Sequence, residues 1–164
     1  KNSAPDRRKD RTGMKNAAYL MMIPAVFGTD VMLKKKSEEK KLPIEKEGND
    51  PIIWRNYHNT GAMLNFGAGK SFVKVLSFVF TAAVTVYFII TLGHKGKNLL
   101  KAGLALVLGG AYSNMYDRMR KDYVVDYISF RCRWKRFSNI VFNIGDFAIM
   151  AGALLAVIAT DRSE

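Results

Sequence analysis

Among the aspartates in or beside the apolar parts of this chain, Asp30, Asp117, Asp126 and Asp146 are the ones whose neighbours could do chemistry. On a helix Asn114, Asp117 and Arg118 fall at i, i+3 and i+4 and share one face, and Asn143 and Asp146 share another at i, i+3. An interfacial ion pair that fixes a helix end explains Asp117 and Arg118 as well as a direct role does. Asp126 and Asp146 are harder to explain, because two carboxylates have no mutual attraction and ionisable groups in apolar segments usually mark a site. Brought together at low dielectric, two carboxylates do not both ionise easily; one keeps a proton, the other stays a base, and the pair titrates as a unit. Such a pair suits acid–base chemistry on water. The same residue types admit an ion or proton path, with Asp30 and Asp146 as an intramembrane carboxylate pair.

The elements that must position these groups follow from the charge pattern. The chain has 164 residues, 49% of them apolar, with 26 Lys and Arg against 14 Asp and Glu, a formal charge of +12. That excess fits nucleic acid or an anionic lipid surface. Its distribution favours lipid: the basic residues gather in "RRKDR" at 7–11, "KKKSEEKK" at 34–41 and "RCRWKR" at 131–136, with apolar stretches between. No aromatic-interleaved basic face suggests nucleic-acid binding. Spans are expected at about 16–33, 72–92, 98–115 and 139–160, each near the roughly 20 residues that cross the hydrocarbon core. A soluble bundle is the competing architecture, disfavoured because Phe72 to Leu92 is apolar on all faces. Asp146, seven residues in from Asn139, is expected roughly 10 Å along the fourth span. The first run resembles a signal peptide behind a basic tail at 1–15, yet Asp30 lies inside it and no small-x-small pattern follows, so it is expected to be retained. Gly109 with Ser113, and Ala148 with Gly152, are small-residue pairs suited to close helix packing. The lone Cys132 suggests neither a disulfide nor a zinc site.

Two connections are too long for simple turns. Residues 34–71 contain "PIIWRNYHNTGAMLNF" and residues 119–138 contain "YVVDYISFRCRW", both rich in β-branched and aromatic residues, which predicts short strands at the membrane surface. In a strand over Tyr123 to Phe130, Asp126 shares a face with Val124, Ile128 and Phe130.

Five motifs then stand in one order: Asp30 and Lys34 in the first span, "HNTGA" at 58–62, "GGAYSNMYDR" at 109–118, "YVVDYI" at 123–128 and "FNIGD" at 142–146. Together they resemble the motif series of the bacterial lipoprotein signal peptidases, also called signal peptidase II, over residues 16 to 160. The resemblance implies an α-helical membrane protein, four transmembrane helices with a small extracytoplasmic β-cradle, forming one integral-membrane aspartic peptidase domain over 1–164. It implies an aspartic endopeptidase that cuts prolipoproteins before a diacylglyceryl-modified cysteine, in the bacterial plasma membrane, with no cofactor and no metal. Asp126 and Asp146 match the catalytic pair. Asn59, Gly61, Asn114, Asp117, Arg118 and Asn143 match residues that organise the site or hold substrate, and Asp30 with Lys34 supports it from the first helix.

Several positions depart from the family pattern: Val31 for the glutamine after the first aspartate, Gly145 for alanine and Phe147 for serine around the last, and Met63 and Leu64 after "HNTGA". They touch pocket shape more than the carboxylate pair. In the family's orientation the cytoplasmic side carries 10 basic residues, six up to Lys15 and then Lys95, Lys97, Lys101 and Arg162, against 15 in the two outer loops. Charge counting alone points the other way; the basic leader of the first segment and a folded outer cradle favour the family's orientation. The expected partners are prolipoprotein signal peptides and membrane lipids, with the chain a monomer. A small proton- or ion-coupled transporter and a noncatalytic lipoprotein-binding paralogue are the alternatives.

Overall fold

In chain order the elements are α1 (Arg7–Glu38), β1 (Ile52–Asn59), α2 (Lys70–Gly93), α3 (Asn98–Lys121), β2 (Val124–Phe130), β3 (Val141–Phe142) and α4 (Ile144–Asp161). They are taken from a computed structural model that describes residues 7–39, 51–61, 70–133 and 138–161. The sequence features at residues 1–6, Lys40, Lys41, Met63, Leu64, Lys135, Arg136 and Arg162 lie outside the described residues.

Among the described residues three helices are long and apolar enough to cross a membrane: α1 from Asn16 to Glu38, α2 from Ser71 to Gly93, and α4 from Ile144 to Asp161. On α2 the side chains of Phe72, Val75, Leu76, Phe78, Phe80 and Ile89 are all exposed and cover more than half of the helix circumference, which suits hydrocarbon rather than water. The third expected span differs. With 24 residues α3 is long enough, but it carries Lys101, Asp117, Arg118, Arg120 and Lys121. It is the helix on which the others pack, with α1, α2 and α4 each lying against it and α4 most extensively. Much of α3 from Leu100 to Asp117 is buried, so Lys101, Ser113, Asn114 and Asp117 face protein. Lys101, counted above among cytoplasmic basic residues, is itself buried and donates to Asn16 Oδ1 and to the Leu92 carbonyl near the end of α2. A cation at a helix C-terminus is favourably placed.

Element boundaries also shift. α1 is helical from Arg7 and runs on to Glu38 rather than ending at Leu33, so the expected basic tail is part of the helix from Arg7. α3 continues past Met115 to Lys121. The fourth helix begins at Ile144 rather than Asn139, because Val141 and Phe142 form a strand. Asp146 therefore lies in the first turn of α4, not deep in the span.

The antiparallel α3–α4 seam rests on glycines seven residues apart. A Cβ at Gly103 would lie 2.6 Å from the Gly152 carbonyl oxygen, and one at Gly110 would collide with the Gly145 carbonyl. Seven residues are close to two helical turns, so both contacts fall on one side of each helix. Of the small-residue pairs read from the sequence, Gly109 packs against Val26 of α1, Ser113 joins a polar cluster, and Gly152 belongs to this seam.

The sheet order is β1-β2-β3, antiparallel throughout. Ile52 opposes Phe130 and Trp54 opposes Ile128, but after a register shift Tyr57 opposes Asp126 and Asn59 opposes Val124. The extra residue reverses the side-chain alternation of β1. Odd-numbered Asn59 thereby comes onto the face of even-numbered Asp126. The irregular segment is fastened to α1, where Ser37 Oγ donates to the Arg55 carbonyl and Asn56 Nδ2 donates to the Ser37 carbonyl.

The glycine seam makes a direct prediction. Gly103→Ala forces the two backbones apart and should cost about 1–3 kcal/mol, whereas Gly28→Ala, which meets no atom within 4 Å, should be neutral or gain up to about 1 kcal/mol from helix propensity. Thermal unfolding in detergent separates the two; equal effects would contradict the seam.

Candidate active site

A buried lysine organises the polar interior. Lys34 Nζ lies 2.8 Å from Asp30 Oδ2 and 3.3 Å from Asp117 Oδ2, and donates to Ser113 Oγ at 3.0 Å and Asn114 Oδ1 at 2.8 Å. Lys34, Asp30 and Asp117 are each no more than 2% exposed. One turn on from Asp30 along α1, Lys34 reaches a face of α3 that presents Ser113, Asn114 and Asp117 at i, i+1 and i+4. Ser113 Oγ in turn donates to Asp30 Oδ2 at 2.6 Å. Lys121 adds a second cation, 3.4 Å from Asp117 Oδ1 and 2.8 Å from Glu38 Oε2.

The cluster also holds the strand. Asp122 adopts a left-handed conformation (φ 67°) at the end of α3, which an aspartate tolerates better than most residues, and turns the chain into β2 within two residues. Asp117 Oδ2 accepts the Val125 N–H at 3.2 Å. Two residues along, the Tyr127 hydroxyl donates to Asp30 Oδ1 at 2.8 Å and accepts the Ile144 N–H at 3.1 Å. Burial, then the neighbouring Asp30 carboxylate, raises the Tyr127 phenol above its ordinary pKa, so it stays a donor at neutral pH.

Between the fixed ends of β2 and α4 lie the two remaining aspartates. Asn143 and Asp146 form a capping box: the Asp146 N–H donates to Asn143 Oδ1 at 2.8 Å, and the Asn143 N–H donates to Asp146 Oδ2 at 3.1 Å. They do not share a helix face, as i, i+3 spacing inside a helix requires; Asn143 is the cap. Its amide nitrogen is thereby directed at Asp126 Oδ1, 2.7 Å away. Asn59 behaves alike, with Oδ1 accepting the Gly61 N–H at 3.1 Å and Nδ2 donating to Asp126 Oδ2 at 3.0 Å. Asn114 completes the set: its Oδ1 faces the Lys34 ammonium, which can only donate, so its Nδ2 must face outward and donates to Asp146 Oδ1 at 2.9 Å. Three of the four carboxylate oxygens of the pair accept an asparagine NH₂ whose direction a second contact determines, and the fourth, Asp146 Oδ2, accepts the Asn143 backbone N–H.

Asp126 and Asp146 line one cavity of about 250 Å³ with Asn59, Asn114, Arg118 and apolar side chains of α2 and α4. Burial, reinforced by the charge of Asp146, pushes the Asp126 carboxyl up to about 7, against the hydrogen bonds of Asn59 and Asn143, which favour its charged form. Arg118 reaches the Gly61 carbonyl at 3.4 Å and stands on the cavity wall. Gly61 thus serves twice, directing Asn59 and receiving Arg118. Phe147 joins Phe130 and Phe142 in an aromatic cluster with ring centroids 5.5 to 6.2 Å apart, and Phe142 forms part of the wall.

All ten residues singled out in the sequence belong to this network, in two layers. Asp126, Asp146, Asn59, Asn114 and Arg118 line the cavity; Asn143 and Gly61 orient them; Asp30, Lys34 and Asp117 lie behind. Asp30 is occupied by Lys34, Ser113 and Tyr127, which leaves the ion-path reading without its carboxylate pair. Sequence reasoning missed Ser113 and Tyr127. Both adjoin residues it named, Asn114 and Asp126, but a serine in a small-residue pair and a tyrosine in a strand read as packing.

The buried cluster predicts an asymmetry between adjacent lysines. Lys34→Met leaves Asp30 and Asp117 buried without their shared cation and should cost about 3–5 kcal/mol. Lys35→Met removes a side chain 76% exposed and should change stability by no more than about 0.5 kcal/mol. Denaturation in micelles reads both; similar losses would remove Lys34 from its central place.

Comparison with known proteins gives the site its context. The family model for signal peptidase (SPase) II matches residues 22–161. The lipoprotein signal peptidase of Pseudomonas paraeruginosa is 37% identical over 120 residues, covering 70% of this chain and 69% of that protein. That of Pseudomonas syringae pv. tomato is 31% identical over 168 residues, covering 98% and 95%. A bacterial membrane enzyme solved by the in meso method at 2.3 Å superposes with a TM-score of 0.73 at 22% identity, over 89% of this chain and 88% of that one, a likeness of fold. With the family model spanning most of its length, the chain belongs to the signal peptidase II family.

Proposed function

We propose that the chain is an intramembrane aspartic endopeptidase that removes signal peptides from prolipoproteins, cutting before a diacylglyceryl-modified cysteine. The observation that carries this reading is the convergence of Asp126 from β2 and Asp146 from α4 on one cavity, each held by oriented asparagine amides. All four long helices then cross the bilayer, α3 shielded by the other three, with the sheet and the cavity mouth on the extracytoplasmic side. The likeness to lipoprotein signal peptidases supports the substrate class.

In this mechanism Asp146 is the base and Asp126 the proton carrier. Asp146 lies in the first turn of α4, where the helix dipole and the Asn143 N–H favour its negative charge. Asp126, with its carboxyl near 7, is about half protonated at neutral pH and supplies the proton-bearing form. A water between them loses a proton to Asp146 as its oxygen bonds to the scissile carbonyl carbon, while Asp126 protonates the carbonyl oxygen. As the C–N bond breaks, Asp146 returns its proton to the leaving amine and a hydroxyl of the intermediate reprotonates Asp126, so the pair ends as it began. Arg118 holds a substrate carbonyl and sets the distance of attack, a positioning contribution separate from proton transfer.

The purified protein with a diacylglyceryl-modified precursor tests this on a gel. Asp126→Asn and Asp146→Asn should each abolish cleavage while the thermal transition remains cooperative, and the double variant should be little worse than either single one, since both carboxylates act in one step. Cleavage retained by either single variant would overturn the assignment; a stably folded wild type that fails to cleave would favour the noncatalytic paralogue.

A further inference from the structure

Away from the aspartates, α1 and α3 enclose a second, almost wholly apolar groove of about 440 Å³, lined by Pro24 and Phe27 on one side and Tyr112, Met115, Tyr116 and Met119 on the other. Its α3 residues recur at i, i+3, i+4 and i+7, a stripe two turns or about 10 Å long. Tyr116 stands about 200° around the helix from Asn114, so the groove opens on the side of α3 opposite the aspartates. The next residue along the row of Tyr112 and Tyr116 is Arg120. Its guanidinium lies over the Tyr116 ring, 5.6 Å from the centroid, and donates to the Tyr116 hydroxyl. Among the described residues no carboxylate pairs with it. Lys121, the next residue, has two carboxylate partners, and Lys74 pairs with Asp122.

An apolar trough ending at an oriented cation that no described carboxylate neutralises matches one ligand chemistry, an acyl chain attached to an anionic headgroup. We propose that this groove binds one anionic membrane phospholipid, with an acyl chain along Phe27, Met115 and Met119 and its phosphate on Arg120. The tyrosine orients the guanidinium, so part of its ordering cost is met before the lipid arrives. A zwitterionic lipid fills the same trough but carries a compensating ammonium, and gains less from the cation. The lipid is distinct from the substrate's diacylglyceryl group, because the aspartate cavity lies across α3. The inference rests on α1 and α3 lying in the bilayer, as proposed above, and not on the peptidase chemistry.

Native mass spectrometry of the full chain, released from micelles holding equal amounts of phosphatidylglycerol and phosphatidylcholine with identical acyl chains, tests it. The wild type should retain one lipid and prefer phosphatidylglycerol about fivefold, the effect expected of one cation near an anionic headgroup. Arg120→Gln should bring the preference to within about twofold of parity, Arg120→Lys should keep most of it, and Arg133→Gln, which removes another exposed arginine, should leave it unchanged. No preference in the wild type, an unaltered preference in Arg120→Gln, or equal losses in Arg120→Gln and Arg133→Gln would overturn the proposal. Adduct masses do not depend on cleavage, so this result and that of the precursor assay fail independently.

Discussion

A buried ammonium is expensive to keep in a helical interior, and the architecture around Lys34 is what makes it tolerable. Its charge is met by Asp30 and Asp117, and its remaining donor capacity by Ser113 and Asn114. Those partners come from α1 and α3, and through Asp30 and Asp117 the same charge reaches Tyr127 and the Val125 N–H of β2. Tyr127 carries the constraint on to the first residue of α4. Two helices, a strand and a helix N-terminus are thus registered by one cation, without any of its immediate carboxylates lining the cavity.

The second consequence of that cation is directional. An asparagine amide has no preferred sense of its own; a contact to one end decides what the other end offers. Lys34 turns Asn114, the Gly61 N–H turns Asn59, and the capping box turns Asn143, so that three NH₂ groups converge on two carboxylates. The sheet irregularity at Trp54/Tyr57 serves the same end by bringing Asn59 onto the face of Asp126. Preorganised donors of this kind need no rearrangement when charge moves between the two aspartates.

Much of this was visible in the residues, and the failures have physical causes. The runs at 72–92 and 139–160 read as spanning helices because they are apolar over most of their length, with Lys74 and Asp146 as their only charged residues, and the β-branched and aromatic residues of Tyr123 to Phe130 read as a strand. The start of α4 was misplaced because Ile140, Val141 and Phe142 are as apolar as the helix; the N-cap spacing of Asn143 and Asp146 was the better signal. Lys34 stands first in a basic block, and only the family resemblance sets it apart as a site residue; its partners on α3 are what bring it inside. The glycine pairs 103/152 and 110/145 escaped notice because the match lies between two helices, where only the antiparallel register reveals it. The bulge in β1 has no local marker among Arg55 and Asn56. It exists because pairing on both of its sides must be satisfied at once.

In the proposed mechanism Asp126 keeps its proton up to about pH 7 because it is buried beside an ionised Asp146. Isotope-edited infrared spectroscopy of the aspartate carboxyls, across pH and compared with Asp126→Asn to assign the band, measures this directly. A protonated carboxyl belonging to Asp126 should persist at pH 6 and vanish with a midpoint near 7. In Asp146→Asn, where the neighbouring charge is gone, that midpoint should fall, yet stay above the ordinary aspartate value because burial remains. An Asp126 already ionised at pH 5, or a midpoint indifferent to Asp146, would rule this mechanism out.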